Sequence, residues 1–181
     1  MMLCSSRGGL CATARSPAAS GMIEQAILTT DGACIRNPGP GGWAYVLRYQ
    51  GHVTNLSGTE SDTTNNRMEL RAVIEGLRGL KEPCVVVVRT DSQYVKNGMM
   101  KWIRTWKSNG WVHREKGKAG WHPVKNRDLW EELERLQGMH QITWKWVKGH
   151  ADDADNKRCH LLANAEARTI ITAAKRESPK R

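Results

Sequence analysis

VVVVRTD, residues 85–91, is a short β-branched run without polar/apolar alternation. That is the pattern of a central strand covered on both faces. Just upstream, across residues 64–80, Leu70, Val73, Ile74, Leu77 and Leu80 fall at i, i+3, i+4, i+7 and i+10, which marks one face of a helix; Pro83 stops it. Further upstream, residues 24–31 (EQAILTTD) read as a strand ending at Asp31-Gly32. After the turn-rich NPGPGG (37–42), WAYVLRYQ (43–50) reads as a second strand and, beyond Gly51, HVTNLSG (52–58) as a third. Downstream, residues 92–107 read as short helices, 108–122 as a basic Gly-containing loop and 126–138 as a helix. Residues 141–150 read as a strand, and a last helix runs from about 157 to 174. Strands first and alternation afterwards predict an α/β fold, a mixed sheet with helices laid on it.

The chain has 181 residues, 39% apolar and 25% charged, with eight Trp and no Phe. That length suits one domain, expected over residues 22–172, between a disordered extension at 1–21 and a basic tail at 173–181. No apolar run approaches the ~20 residues of a membrane span, so no membrane partner is expected. Five irregularly spaced Cys suggest neither a disulfide framework nor a zinc motif, and a reducing, cytoplasmic setting is expected. Residues 1–21 lack acids and a secretory apolar stretch; on composition an organellar presequence is the other reading. The net charge is +10, and residues 96–127 hold nine Lys or Arg against the single acid Glu115. With Trp102, Trp106, Trp111 and Trp121 in the same segment, the pattern favours contact with a polyanion. A monomer is expected.

Three acids stand where chemistry can be done. Asp31 ends the first strand, Asp91 ends the apolar run, and Glu69 lies near the start of the long helix, so all three can converge at one end of a sheet. Each also has a local role open to it: Asp31 starts a Gly turn, Asp91 caps a helix, and Glu69 forms a capping box with Asn66. Clustered carboxylates need a cation to offset their repulsion, so together they point to a hard-cation site acting on phosphodiesters.

In order along the chain, TDGACIRNPGPGGWAYVL, TTNNRMELRAVIEGL, TDSQYVKNGMMKWI, KNRDLWEEL and WVKGHADDADNKRCHLLA resemble the blocks of bacterial-type ribonuclease H (type I). The resemblance covers residues 24–170 and implies a five-stranded mixed sheet, its first three strands antiparallel, flanked by helices. It implies a metal-dependent endonuclease cutting the RNA strand of RNA–DNA hybrids, leaving 5′-phosphate and 3′-hydroxyl ends. Asp31, Glu69 and Asp91 become metal ligands, with Asp31 bridging two Mg²⁺ ions: one activates the attacking water and the other stabilises the leaving 3′-oxygen. His150, in the loop after the last strand, becomes a proton relay or an aid to product release.

By the same resemblance Cys34, Asn37, Asn65, Asn66 and Gln93 lie near the two nucleic-acid strands, and Thr64 helps to hold a DNA phosphate. Trp102, with Lys101, Arg104 and Lys107, matches the family's protruding handle, where an aromatic face packs on deoxyribose and cations meet phosphates. Trp106, Trp130, Trp144 and Trp146 read as core. One departure stands out: where the family pattern N-x-R-C-D places a fourth acid, this chain has NKRCH, with His160. Imidazole is a poor Mg²⁺ ligand and tolerates Mn²⁺ better, so Mn²⁺ is expected to substitute or be preferred. A weakly active or inactive hybrid-binding protein is the alternative reading.

Overall fold

In a computed structural model of the chain, residues 24–149 and 153–177 are described. The chain runs β1 (Ala26–Cys34), β2 (Gly39–Tyr49), β3 (His52–Thr63), α1 (Asn65–Arg78), β4 (Val85–Thr90), α2 (Gln93–Asn97), a π-helical turn (Gly98–Trp102) and α3 (Ile103–Ser108). It continues through β5 (Val112–His113), β6 (His122–Pro123), α4 (Arg127–Gln137), β7 (Gln141–Trp146) and α5 (Ala154–Glu177). Five strands form one mixed sheet of order β3-β2-β1-β4-β7, while β5 and β6 pair separately. The first three strands are antiparallel, and β4 runs parallel to both β1 and β7. No helix among the described residues is long and apolar enough to cross a membrane.

The apolar stripe read from the sequence is the one that packs. Leu70, Val73, Ile74 and Leu77 of α1 are fully buried with Leu28, Val86, Val88, Trp130 and Leu133 in one core. On the other side of the sheet α5 sets small residues, Cys159 and Ala163, against Ala33, Ala44 and Val46. Smallness is required because the helix backbone comes very close to the strand. A Cβ on Gly42 would stand 2.1 Å from the Ala163 carbonyl oxygen and 2.8 Å from the Ala167 nitrogen.

Several local readings change. β1 does not stop at Asp31-Gly32 but pairs on to Cys34, opposite Gly41. The glycines of NPGPGG are therefore strand, not turn, where they pair with β1 and β3, and β3 extends to Thr63. β4 is not equally covered on its two faces: Val86, Val88 and Thr90 are buried, while Val85, Val87 and Arg89 are only partly so. The segment 108–122 holds a short hairpin in which Val112 pairs with Pro123 and His113 with His122. β7 ends at Trp146 rather than 150, and α5 already begins at Ala154. Trp106 and Trp130 are core and Trp144 packs against it, but Trp146 is exposed. The readings for residues 1–21 lie outside the described residues.

Gly42→Ala should force α5 off the sheet and cost at least about 2 kcal/mol, since the clashing atoms are helix backbone and cannot swing aside. The measurement is the urea midpoint; an unchanged midpoint would show that α5 does not seat on β2.

Candidate active site

Asp31 lies within β1, so its place is fixed by the sheet rather than by a turn. It is 6% exposed, and its Oδ1 accepts the Gly32 N–H at 2.7 Å. Glu69 reaches it because α1 rests directly on Gly32: a Cβ there would lie 2.3 Å from the Glu69 nitrogen. Only glycine admits that approach. α1 itself is capped by Thr64, whose hydroxyl accepts the Arg67 N–H at 3.4 Å. The capping box of Asn66 and Glu69 is therefore not formed, and the Glu69 carboxylate is turned elsewhere. Its Oε1 accepts from Asn65 Nδ2 at 2.9 Å and its Oε2 from the Ser92 hydroxyl.

Asp91 follows the end of β4. It does not cap the next helix; Ser92 does, accepting the Val95 N–H at 3.2 Å. Asp91 is instead met by the end of β7 and the residues after it. The Trp146 indole donates to the Asp91 carbonyl at 2.9 Å, Val147 N–H donates to the Thr90 carbonyl at 3.0 Å, and a Cβ on Gly149 would stand 2.8 Å from Asp91 Oδ2. From α5, His160 sets Nδ1 2.9 Å from Asp31 Oδ2. Asn164, one turn on, donates to the His160 carbonyl at 2.9 Å and lies 3.2 Å from its Nε2.

Asp31, Glu69, Asp91, His160 and Asn164 all line one cleft of about 420 Å³, together with Cys34 and Asn65. Burial above all, with repulsion from Asp91, pushes Asp31 up to about 6 against the pull of His160 and Gly32. Burial likewise pushes Glu69 up to about 7; the Ser92 hydrogen bond opposes it, and repulsion from Asp31 and Asp91 adds to it. The acids therefore crowd one another without full compensation, and oxygen donors of this kind suit a hard divalent cation. Among the described residues no three Asp, Glu, His or Cys side chains stand in a ligating arrangement as they are.

The family model described as RNase H matches residues 24–168. The chain belongs to the ribonuclease H family. It is 56% identical over 146 residues to ribonuclease HI of Neisseria meningitidis serogroup B, covering 81% of this chain and 97% of that one. It is 51% identical over 146 residues to ribonuclease H of Escherichia coli O127:H6, covering 81% and 91%. Among solved structures it resembles LC9-RNase H1, a type 1 RNase H with the type 2 active-site motif, with TM-score 0.69, 33% identity and coverage of 81% and 73%.

In this ribonuclease H fold the remaining expected residues divide. Asn37 Oδ1 accepts the Asn65 N–H at 3.2 Å, so the first turn of α1 is tied to the β1–β2 connection. The Cys34 thiol points at the Thr63 and Gly39 carbonyls, at 3.4 and 3.5 Å. Gln93 is exposed at the start of α2, and Lys101, Trp102, Arg104 and Lys107 lie exposed on the π-helical turn and α3, away from the acids. Lys107 is engaged by Glu134. His150 lies outside the described residues. Sequence reasoning missed Asn164, Trp146 and Gly149 as site residues; only the i+4 spacing of Asn164 from His160 could have pointed to the first.

Because both acids are held above the ordinary carboxylate range, their stabilising share is whole below about pH 4 and is lost as the pH rises through about 6 and 7. Asp31→Asn should therefore be more stable than the parent in chelator. The gap should open between pH 4 and 7 and reach up to about 3 kcal/mol at pH 8. Denaturant melts of both proteins across that range check it, and a gap constant with pH would contradict the burial of an ionised Asp31.

Proposed function

We propose that the chain hydrolyses the RNA strand of RNA–DNA hybrids in a divalent-cation-dependent reaction that leaves 5′-phosphate and 3′-hydroxyl ends. The observation that carries this reading is the convergence of Asp31, Glu69 and Asp91 on one cleft, in a chain whose relatives are named ribonuclease H. Asp31, Glu69 and Asp91 would hold the cation, with Mg²⁺ and a two-ion arrangement as the assignment. When bound, it supplies an activated water and neutralises charge on the phosphate. Ser92 and Asn65 orient Glu69, while Trp146 fixes the Asp91 backbone and Gly149, lacking a side chain, leaves room for its carboxylate. His150, outside the described residues, would move a proton or free the product. Asn37, Asn65, Asn66, Thr64, Cys34 and Gln93 meet the two strands of the minor groove, and Trp102, Lys101, Arg104 and Lys107 receive the DNA backbone. The free thiols of Cys34, Cys84 and Cys159 suit a reducing setting, and a cytoplasmic monomer is the assigned state.

One observation favours the second reading, a weakly active or inactive hybrid-binding protein. His160 already occupies Asp31 Oδ2, an oxygen a cation needs, and offers nitrogen where Mg²⁺ prefers oxygen.

Cleavage of an end-labelled hybrid separates the two. Asp31→Asn should abolish turnover and leave hybrid binding intact; retained Mg²⁺-dependent turnover would falsify the assignment. His160→Asp should raise Mg²⁺-dependent cleavage relative to Mn²⁺ while lowering the melting temperature in chelator, since it restores a charge to a crowded site. Identical metal profiles for parent and variant remove His160 from the reaction. Neutralising Lys101 and Arg104 should weaken hybrid binding and flatten its dependence on log salt by up to about 0.9 for each phosphate these side chains neutralise. An unchanged slope would show that they face only solvent.

A further inference from the structure

The two members of the His160–Asp31 pair differ in their freedom to move. Nδ1 of the ring stands 2.9 Å from Asp31 Oδ2, yet the His160 side chain is 38% exposed and that of Asp31 only 7%. The carboxylate is fixed by the pairing of β1 and by the Gly32 N–H on its other oxygen. The ring, carried on α5, has solvent to move into. One restraint on it comes from its own helix. Asn164 lies at i+4, where side chains of a helix meet, and it lines the same cleft. Its Nδ2 donates to the His160 carbonyl at 2.9 Å, which ties the amide to the turn that carries the ring. From there the amide nitrogen stands 3.4 Å from Nδ1 and 3.2 Å from Nε2. Near-equal reach to both nitrogens sets the amide against the imidazole as a whole. A ring flanked in this way keeps one rotamer, the one that puts Nδ1 on Asp31.

We infer that Asn164 is a positioning residue, one that holds the His160 imidazole on Asp31 Oδ2 and thereby sets how readily a divalent cation takes that oxygen. The inference rests on the cation reading of the cleft. Imidazole and cation compete for one carboxylate oxygen, and Mg²⁺ prefers oxygen to ring nitrogen. Because Asp31 is locked in its strand, the ring is the partner that leaves. Leaving breaks its contact with Asp31 and also its contact with the Asn164 amide. The apparent affinity for a cation scales with the fraction of molecules in which Asp31 is open, and the Asn164 contact lowers that fraction. A single hydrogen-bonding contact of this kind corresponds to about three- to tenfold in an equilibrium constant. Asn164 therefore opposes cation binding although it carries no charge, and it does so only through the ring at 160.

The test adds Mg²⁺ alone to the full, chelator-treated chain and follows the amide resonance of Gly32, whose N–H bonds to Asp31 Oδ1 and so reports on that carboxylate. Asn164→Ala keeps α5, since alanine is the best helix former, and should tighten Mg²⁺ binding about three- to tenfold. In a His160→Ala background the same substitution should change nothing, because the ring it holds is gone. A residue that merely supported the helix would act equally in both backgrounds. Before Mg²⁺ is added, three-bond couplings about χ1 should show one His160 rotamer in the parent and an average of several in Asn164→Ala. Binding left unchanged by Asn164→Ala, an equal effect with and without His160, or a ring that stays fixed in the variant overturns the inference. So does weaker binding, which would make the ring a ligand that Asn164 presents to the cation. The underlying reading fails by a different result: a Gly32 resonance that ignores Mg²⁺ in the parent and in both variants, or follows it equally in Asp31→Asn, rejects a cation at Asp31 and the competition with it.

Discussion

Gly32 is the point at which a helix backbone touches the central strand, and the site depends on that contact. With no side chain between them, the first turns of α1 lie against β1, and a Cβ would stand 2.3 Å from the Glu69 nitrogen. Asp31, one residue earlier on the same strand, and Glu69, on the helix just above it, are thereby forced into a shared buried cleft. Neither can retreat, because Asp31 is held by the strand ladder and Glu69 by Ser92 and Asn65. The cost appears in their protonation: both carboxyls are driven well above the ordinary range. Crowding of this kind favours a positive charge in the cleft and lowers the stability of the empty fold.

A matching approach on the other face brings His160 in. α5 sits against Gly42 as α1 sits against Gly32, and its small residues Cys159, Ala163 and Ala167 are fully buried. The residue after Cys159 emerges from that seam beside Asp31. Any side chain at 160 therefore enters the cleft; the helix packing decides its position, and the chemistry of the side chain decides what it does there. An acid at this place would add to the repulsion already raising Asp31. Imidazole relieves it, and the same contact occupies Asp31 Oδ2.

The glycine that places Glu69 could not be read as such. TDG and NPGPGG look like turns because glycine is the usual turn residue, but Gly32, Gly41 and Gly42 are here for close approach within paired strands. Only the folded neighbours distinguish the two uses. The helix and strand periods, by contrast, are legible because burial enforces them residue by residue, as with Leu70, Val73, Ile74 and Leu77. Asp91 is legible as following the end of a strand and Glu69 as lying near a helix start, while Asp31, read as a strand end, lies inside β1. Trp146 reads as core because a Trp in a strand usually buries its ring. Its N–H bond to the Asp91 carbonyl joins residues 55 positions apart and leaves no local signature. The hairpin at 112–123 is hidden for a similar reason, its two strands being too short to show a period.

The distribution of charge gives the two surfaces complementary tasks. Without a cation the acid cleft repels a phosphate chain, so on the proposed reading it would not draw substrate on its own. The segment 96–127, with its excess of Lys and Arg, acts over roughly a Debye length of ~8–10 Å in physiological salt and attracts any polyanion without regard to sequence. The excess of cations and the cluster of acids thus lie on different elements, α2 to α4 for the first and β1, α1 and the end of β4 for the second. The joint between them is tight. Asn126, which opens α4, bonds to the Tyr94 hydroxyl at 3.1 Å, and Arg67 of α1 bonds to Asp128 at 2.7 Å. On the proposed reading, a strand captured by the basic segment would be presented to the acids at a fixed offset. Which phosphodiester is cut would, on the same reading, be set by the packing of α1 on α4, since the attraction itself is blind to position.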